Sequence, residues 1–99
     1  MDPRDVRHVG VVGCGLMGSG IVEVIARTGG EVTFVEGTDE LVARGRALIE
    51  RSVGKAVDRG KLQAADAQAL LGRVSDATDL AALNGSDLVI EAATEDLQA

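Results

Sequence analysis

"VGVVGCGLMGSGIVEV", residues 9–24, decides the fold. It places five glycines in sixteen positions, directly after the start of an apolar run. Glycine inside a regular element costs about 0.5–1 kcal/mol relative to alanine, so this density needs a reason beyond local stability. Val9–Val12 reads as a short strand buried on both faces. Past the glycines, Met17, Ile21, Val24, Ile25 and Thr28 recur at helical spacing, while Ser19, Glu23 and Arg27 fall elsewhere. That pattern predicts an amphipathic helix, with Met17 packed in the core beneath a bound ligand. "TGG" closes the helix, Gly29 or Gly30 suiting the left-handed position. "EVTFVE" then reads as a second strand. Strand, helix and strand fit within 28 residues, a βαβ unit joining parallel strands by a right-handed crossover.

Outward from this unit the chain keeps alternating. Thr38 or Asp39 is the expected cap of a long helix from Leu41 to Arg59, with Gly60 as its stop. A shorter helix is predicted over Ala64–Leu71, then a weak strand at "RVS" and a stronger one over Leu88–Ala92. "TEDLQA" reads as the opening turn of a further helix. The alternation predicts an α/β fold with an open parallel sheet. Residues 1–99 are read as one such domain, incomplete at its carboxyl end.

Composition narrows the function. Hydrophobic residues are 45% of the chain and charged residues 26%, the balance of a soluble globular domain. Phe34 is the sole aromatic residue, and Cys14 the sole cysteine, which excludes an internal disulfide and suits the cytoplasm. No apolar run approaches the roughly 20 residues of a membrane span. A net charge of −6 argues against general nucleic-acid binding, but it is uneven. Residues 44–61 hold six basic side chains against two acidic ones, +4, leaving −10 on the rest. Ser52, Lys55 and Arg59 there are spaced i, i+3 and i+7 and share a helix face. Such a stripe is either a solvated surface or a seat for a specific anion. No metal site is expected.

The glycines have a function in a dinucleotide site. Gly13, Gly15 and Gly18 form GxGxxG between a predicted strand and a predicted helix. Gly13 permits the tight turn, Gly15 lets the backbone approach a pyrophosphate, and Gly18 lets the helix pack closely. The helix start adds unpaired N–H groups for phosphate. Glu36 ends the second strand 18 residues after Gly18, where a carboxylate can accept both ribose hydroxyls. Its charge would repel a 2′-phosphate, and neither Gly37 nor Thr38 offsets it, so NAD is expected over NADP. FAD stays open on the fingerprint alone. Cys14, at a variable loop position, is expected to be structural, with a helix N-terminus leaving some scope for an activated thiol. His8, the sole histidine, starts the first strand, about 16 Å from the site at 3.3 Å per residue, and is read as a surface or edge residue.

Three segments together carry a resemblance: "VGVVGCGLMGSGIVEVIARTGGEVTFVE", "SVGKAVDRGKL" and "SDLVIEAATEDL". They resemble the amino-terminal domain of 3-hydroxyacyl-CoA dehydrogenases, the bacterial 3-hydroxybutyryl-CoA enzymes in particular. The resemblance implies NAD-dependent interconversion of 3-hydroxyacyl-CoA and 3-oxoacyl-CoA in fatty acid metabolism. It implies that Gly13, Cys14, Gly15, Leu16, Met17 and Gly18 form the pyrophosphate loop and that Glu36 binds ribose, where the family more often has Asp. Glu95 matches a second cofactor-contacting acid. Ser52 and Arg59 match CoA-contacting positions, the second often Lys in the family, and Lys55 joins them by helical spacing. The family's catalytic His–Glu pair and its substrate-positioning Ser and Asn match nothing in these 99 residues, so no catalytic residue is assigned and the chain alone is expected to be inactive. Two other readings stand beside this one: a stand-alone dinucleotide-binding or interaction module, and a fragment of the 3-hydroxyisobutyrate or 6-phosphogluconate dehydrogenase group. The resemblance also implies a Rossmann-type open parallel sheet of order 3-2-1-4, truncated after its fourth strand, and the apolar strand Leu88–Ala92 left at its edge predicts a homo-oligomer.

Overall fold

The structure is a computed structural model and describes residues 6–92. Its elements alternate: β1 (His8–Val12), α1 (Leu16–Arg27), β2 (Glu31–Val35), α2 (Asp39–Asp58), α3 (Ala64–Gly72), β3 (Val74–Ala77), a 3-10 turn (Leu80–Leu83) and β4 (Leu88–Glu91). All strand pairs are parallel, and the order is β3-β2-β1-β4, as the sequence predicts. The long helix begins two residues earlier than expected. Thr38 caps it, its side-chain oxygen accepting from Leu41 N–H at 3.1 Å.

Strand alternation divides the molecule. Val9, Val11, Val32, Phe34 and Val74 form one core with Val22 and Ala26 of α1, Ile49 and Val53 of α2, and Ala67 and Leu70 of α3. Each fully buried side chain of this size contributes about 1.5–3 kcal/mol. The opposite sheet face is only partly covered, with the Leu83 side chain lying where a Cβ on Gly10 would go. Arg46 fastens α2 to the sheet edge. Its Nε donates to Asp76 at 2.8 Å, one terminal nitrogen donates to the Val74 carbonyl, and the guanidinium lies over the Phe34 ring.

One expectation is corrected. The fully buried face of α1 is Gly18, Ser19, Val22 and Ala26; Ile21 and Ile25 of the expected stripe are half-buried against the core, whereas Met17 and Val24 face outward. Met17 is 56% exposed and Val24 63% exposed, so Met17 is not core packing. The helix lies close against the sheet, and close approach selects small residues. The larger apolar side chains instead form, with Ile90 of β4, an open hollow of about 510 Å³.

Candidate functional site

The site forms where β1 and β2 end. Gly13 follows β1 with φ of +94°, and its N–H donates to the Val35 carbonyl at 2.8 Å, turning the chain sharply across the strand ends. Gly15 precedes α1 without a side-chain cap, and no acidic residue occupies the first turn. The first N–H groups of the helix therefore remain available to an anion. A Cβ on Gly18 would sit 2.2 Å from the Gly13 carbonyl oxygen, a distance no side chain tolerates. The turn and the helix start are thus locked together by the absence of that one atom.

Glu36 follows β2 and folds back over this turn. Its Oε2 accepts from the Cys14 N–H at 2.5 Å. The carboxylate borders a cleft of about 360 Å³ lined by Val12, Gly13, Val35, Glu36, Thr78 and Leu80. Thr78 and Leu80 were not anticipated. They follow β3, and the parallel order places them beside Glu36. The position of the third strand in the sequence is the signal that would have found them.

Cys14 has 2% exposure. Its thiol is pushed up to about 12, first by burial and then by the Glu36 carboxylate, with Arg46 opposing. It remains protonated, which corrects the scope for an activated thiol. A helix N-terminus lowers a thiol pKa only where the thiolate is solvated enough to exist.

The remaining expected residues are not gathered here. Ser52, Lys55 and Arg59 are exposed along the outer side of α2 and at its C-cap. Their axial distance from Gly45, which meets the loop, is about 10–20 Å at 1.5 Å per residue. Of the ion pairs among the described residues, Arg27–Glu23 and Arg46–Asp76, neither involves them. Glu95 lies outside the described residues. His8 sits at the far rim, its Nε2 2.9 Å from Thr33 Oγ1. Among the described residues no cluster of His, Cys, Asp or Glu could hold a metal, and no helix is long and apolar enough to cross a membrane.

A glycine turn into an uncapped helix, a carboxylate at the end of the next strand and a cleft between them fit a dinucleotide's adenosine half. Residues 8–99 match the family described as 3-hydroxyacyl-CoA dehydrogenase, NAD binding domain. The chain belongs to that family. NAD is the cofactor of this domain. Among similar proteins, a 3-hydroxybutyryl-CoA dehydrogenase of Mycobacterium tuberculosis is 46% identical over 91 residues, covering 92% of this chain and 32% of its own. The crystal structure of M. tuberculosis FadB2 superposes with a TM-score of 0.89 at 46% identity, over 92% of this chain and 32% of that one. The (S)-3-hydroxybutyryl-CoA dehydrogenase PaaH1 of Ralstonia eutropha gives 0.89 at 38% identity, over 95% of this chain and 34% of that one. The chain spans about a third of the length of the relatives it matches.

Proposed function

We propose that this chain is the cofactor-binding part of an NAD-dependent 3-hydroxyacyl-CoA dehydrogenase, acting on short acyl-CoA such as 3-hydroxybutyryl-CoA in cytoplasmic fatty acid metabolism. The observation that carries the reading is the Glu36 carboxylate, bonded to the Cys14 N–H at the mouth of the cleft. In this reading the backbone of Gly13, Cys14, Gly15, Leu16, Met17 and Gly18 holds the pyrophosphate. Glu36 accepts from the ribose hydroxyls, and Glu95 is a second contact to the cofactor. Held there by residues 13–18 and Glu36, NAD would supply hydride exchange with the carbon bearing the 3-hydroxyl. None of these residues is assigned as the base, which must lie within hydrogen-bond reach of that hydroxyl. Ser52, Lys55 and Arg59 take the phosphates of CoA, whose length suits a stripe set back from the loop.

Amide chemical shifts test both halves. NADH should move residues 13–18, Glu36 and Thr78, while CoA should move Ser52–Arg59 with an effect that salt weakens. CoA shifts confined to residues 13–18 would mean that it competes for the dinucleotide cleft, and the stripe would then be only a solvated face. For the 99-residue chain by itself we also propose a second copy along β4, the outermost strand of the described sheet, whose Leu88 and Val89 are 47% and 50% exposed. Sedimentation should show a dimer, and a monomer at high concentration would remove this part of the reading.

A further inference from the structure

We infer that Gly45, in the second turn of α2, is a positioning residue for the cofactor loop, acting through Cys14. Gly45 is buried, and a Cβ there would lie 2.8 Å from Cys14 Cβ, 2.9 Å from its Sγ and 3.0 Å from its carbonyl oxygen. The space between α2 and the loop therefore holds one side chain, and Cys14 supplies it. Two features decide what gives way if both positions carry a Cβ. Arg46, the next residue, is anchored on Asp76, Val74 and the Phe34 ring, so α2 resists moving outward. Cys14 sits in the loop whose N–H holds Glu36, so a methyl on Gly45 presses directly on the residue that makes that bond. That bond also orients the carboxylate at the cleft. A crowded Gly45 thus reaches the cofactor site although it touches no part of the cleft.

The pair predicts a reciprocal rescue, and this inference rests on the NAD reading only for its binding readout. Gly45→Ala should weaken NADH binding about tenfold, the equivalent of one lost charge-assisted hydrogen bond. It should also shift the Cys14 amide proton toward its position in Glu36→Ala. The double variant Cys14→Gly/Gly45→Ala empties the contested space and keeps the loop N–H. It should restore the affinity to within about threefold and return the residue-14 amide to the position seen in Cys14→Gly. Gly54→Ala is the control, since nothing lies within 4 Å of a Cβ there, and it should bind like the parent. A folded Gly45→Ala variant with parental affinity and an unmoved Cys14 amide overturns the inference. So does a double variant that remains as impaired as Gly45→Ala, or that fails to fold where the single variant fails. If the parent itself does not bind NADH, the cofactor reading falls, and the amide shifts alone decide the packing inference.

Discussion

Two carboxylates fold back onto the main chain at opposite rims of the sheet. At the amino-terminal rim, Asp87 Oδ2 accepts from the N–H groups of Arg7 and His8 at 2.9 and 3.0 Å. At the carboxyl-terminal rim, Glu36 Oε2 accepts from the Cys14 N–H alone. Both fasten an end of β1 to its neighbours. Asp87 serves two backbone donors, which hold its carboxyl below the ordinary 3.8, and it fastens β1 to the start of β4. Glu36 has a single backbone donor and stands at a cleft. A carboxylate on the open surface that takes two main-chain donors stabilises the fold. One that keeps acceptor capacity beside empty space can recognise a ligand.

The contrast can be broken most severely at Gly18. Its substitution by Ala drives a methyl to 2.2 Å from the Gly13 carbonyl oxygen, and the loop must move. Urea unfolding should show a loss of about 1–3 kcal/mol, the usual cost of overpacking, together with loss of NADH binding. Gly20→Ala, with nothing within 4 Å of the new methyl, should instead stabilise α1 slightly. Equal behaviour of the two variants would show that the lock between turn and helix is absent.

A smaller effect sharpens the other side of the comparison. Because the folded-state pKa of Asp87 is lowered, its contribution is complete above its ordinary value and is lost as pH falls through the lowered one. Asp87→Asn should therefore be less stable than the parent at neutral pH, with the difference disappearing in acid. Its NADH affinity should match the parent's. A pH-independent difference, or a loss of NADH binding, would contradict the division of roles.

How far the sequence reveals this arrangement depends on where a residue's partners come from. The β1–loop–α1–β2 unit is legible because its partners are local: the buried strand, the glycines and Glu36 lie within 28 residues. The strand order is not fixed by alternation alone: right-handed crossovers set the face each helix covers, and the reversal that puts β4 beside β1 comes with the dinucleotide-binding fold. The inward face of α1 is not legible from periodicity, which finds an apolar stripe but not the tight clearance that favours Gly18, Ser19 and Ala26. Thr78 and Leu80 escape for a related reason. β3 is an edge strand whose buried side rests on Val74, leaving little pattern to fix its end beside Glu36. The contact of Gly45 with Cys14 joins residues 31 positions apart and has no sequence signature.

The central claim is that Glu36 makes the cleft selective for an unphosphorylated ribose. Calorimetric titration of the parent and of Glu36→Ala with NADH and NADPH tests it directly. The parent should bind NADH at least about tenfold more tightly, some 1.4 kcal/mol, and the substitution should narrow that ratio by weakening NADH and relieving NADPH. Equal affinities in the parent, or a ratio that Glu36→Ala leaves intact, would contradict the account.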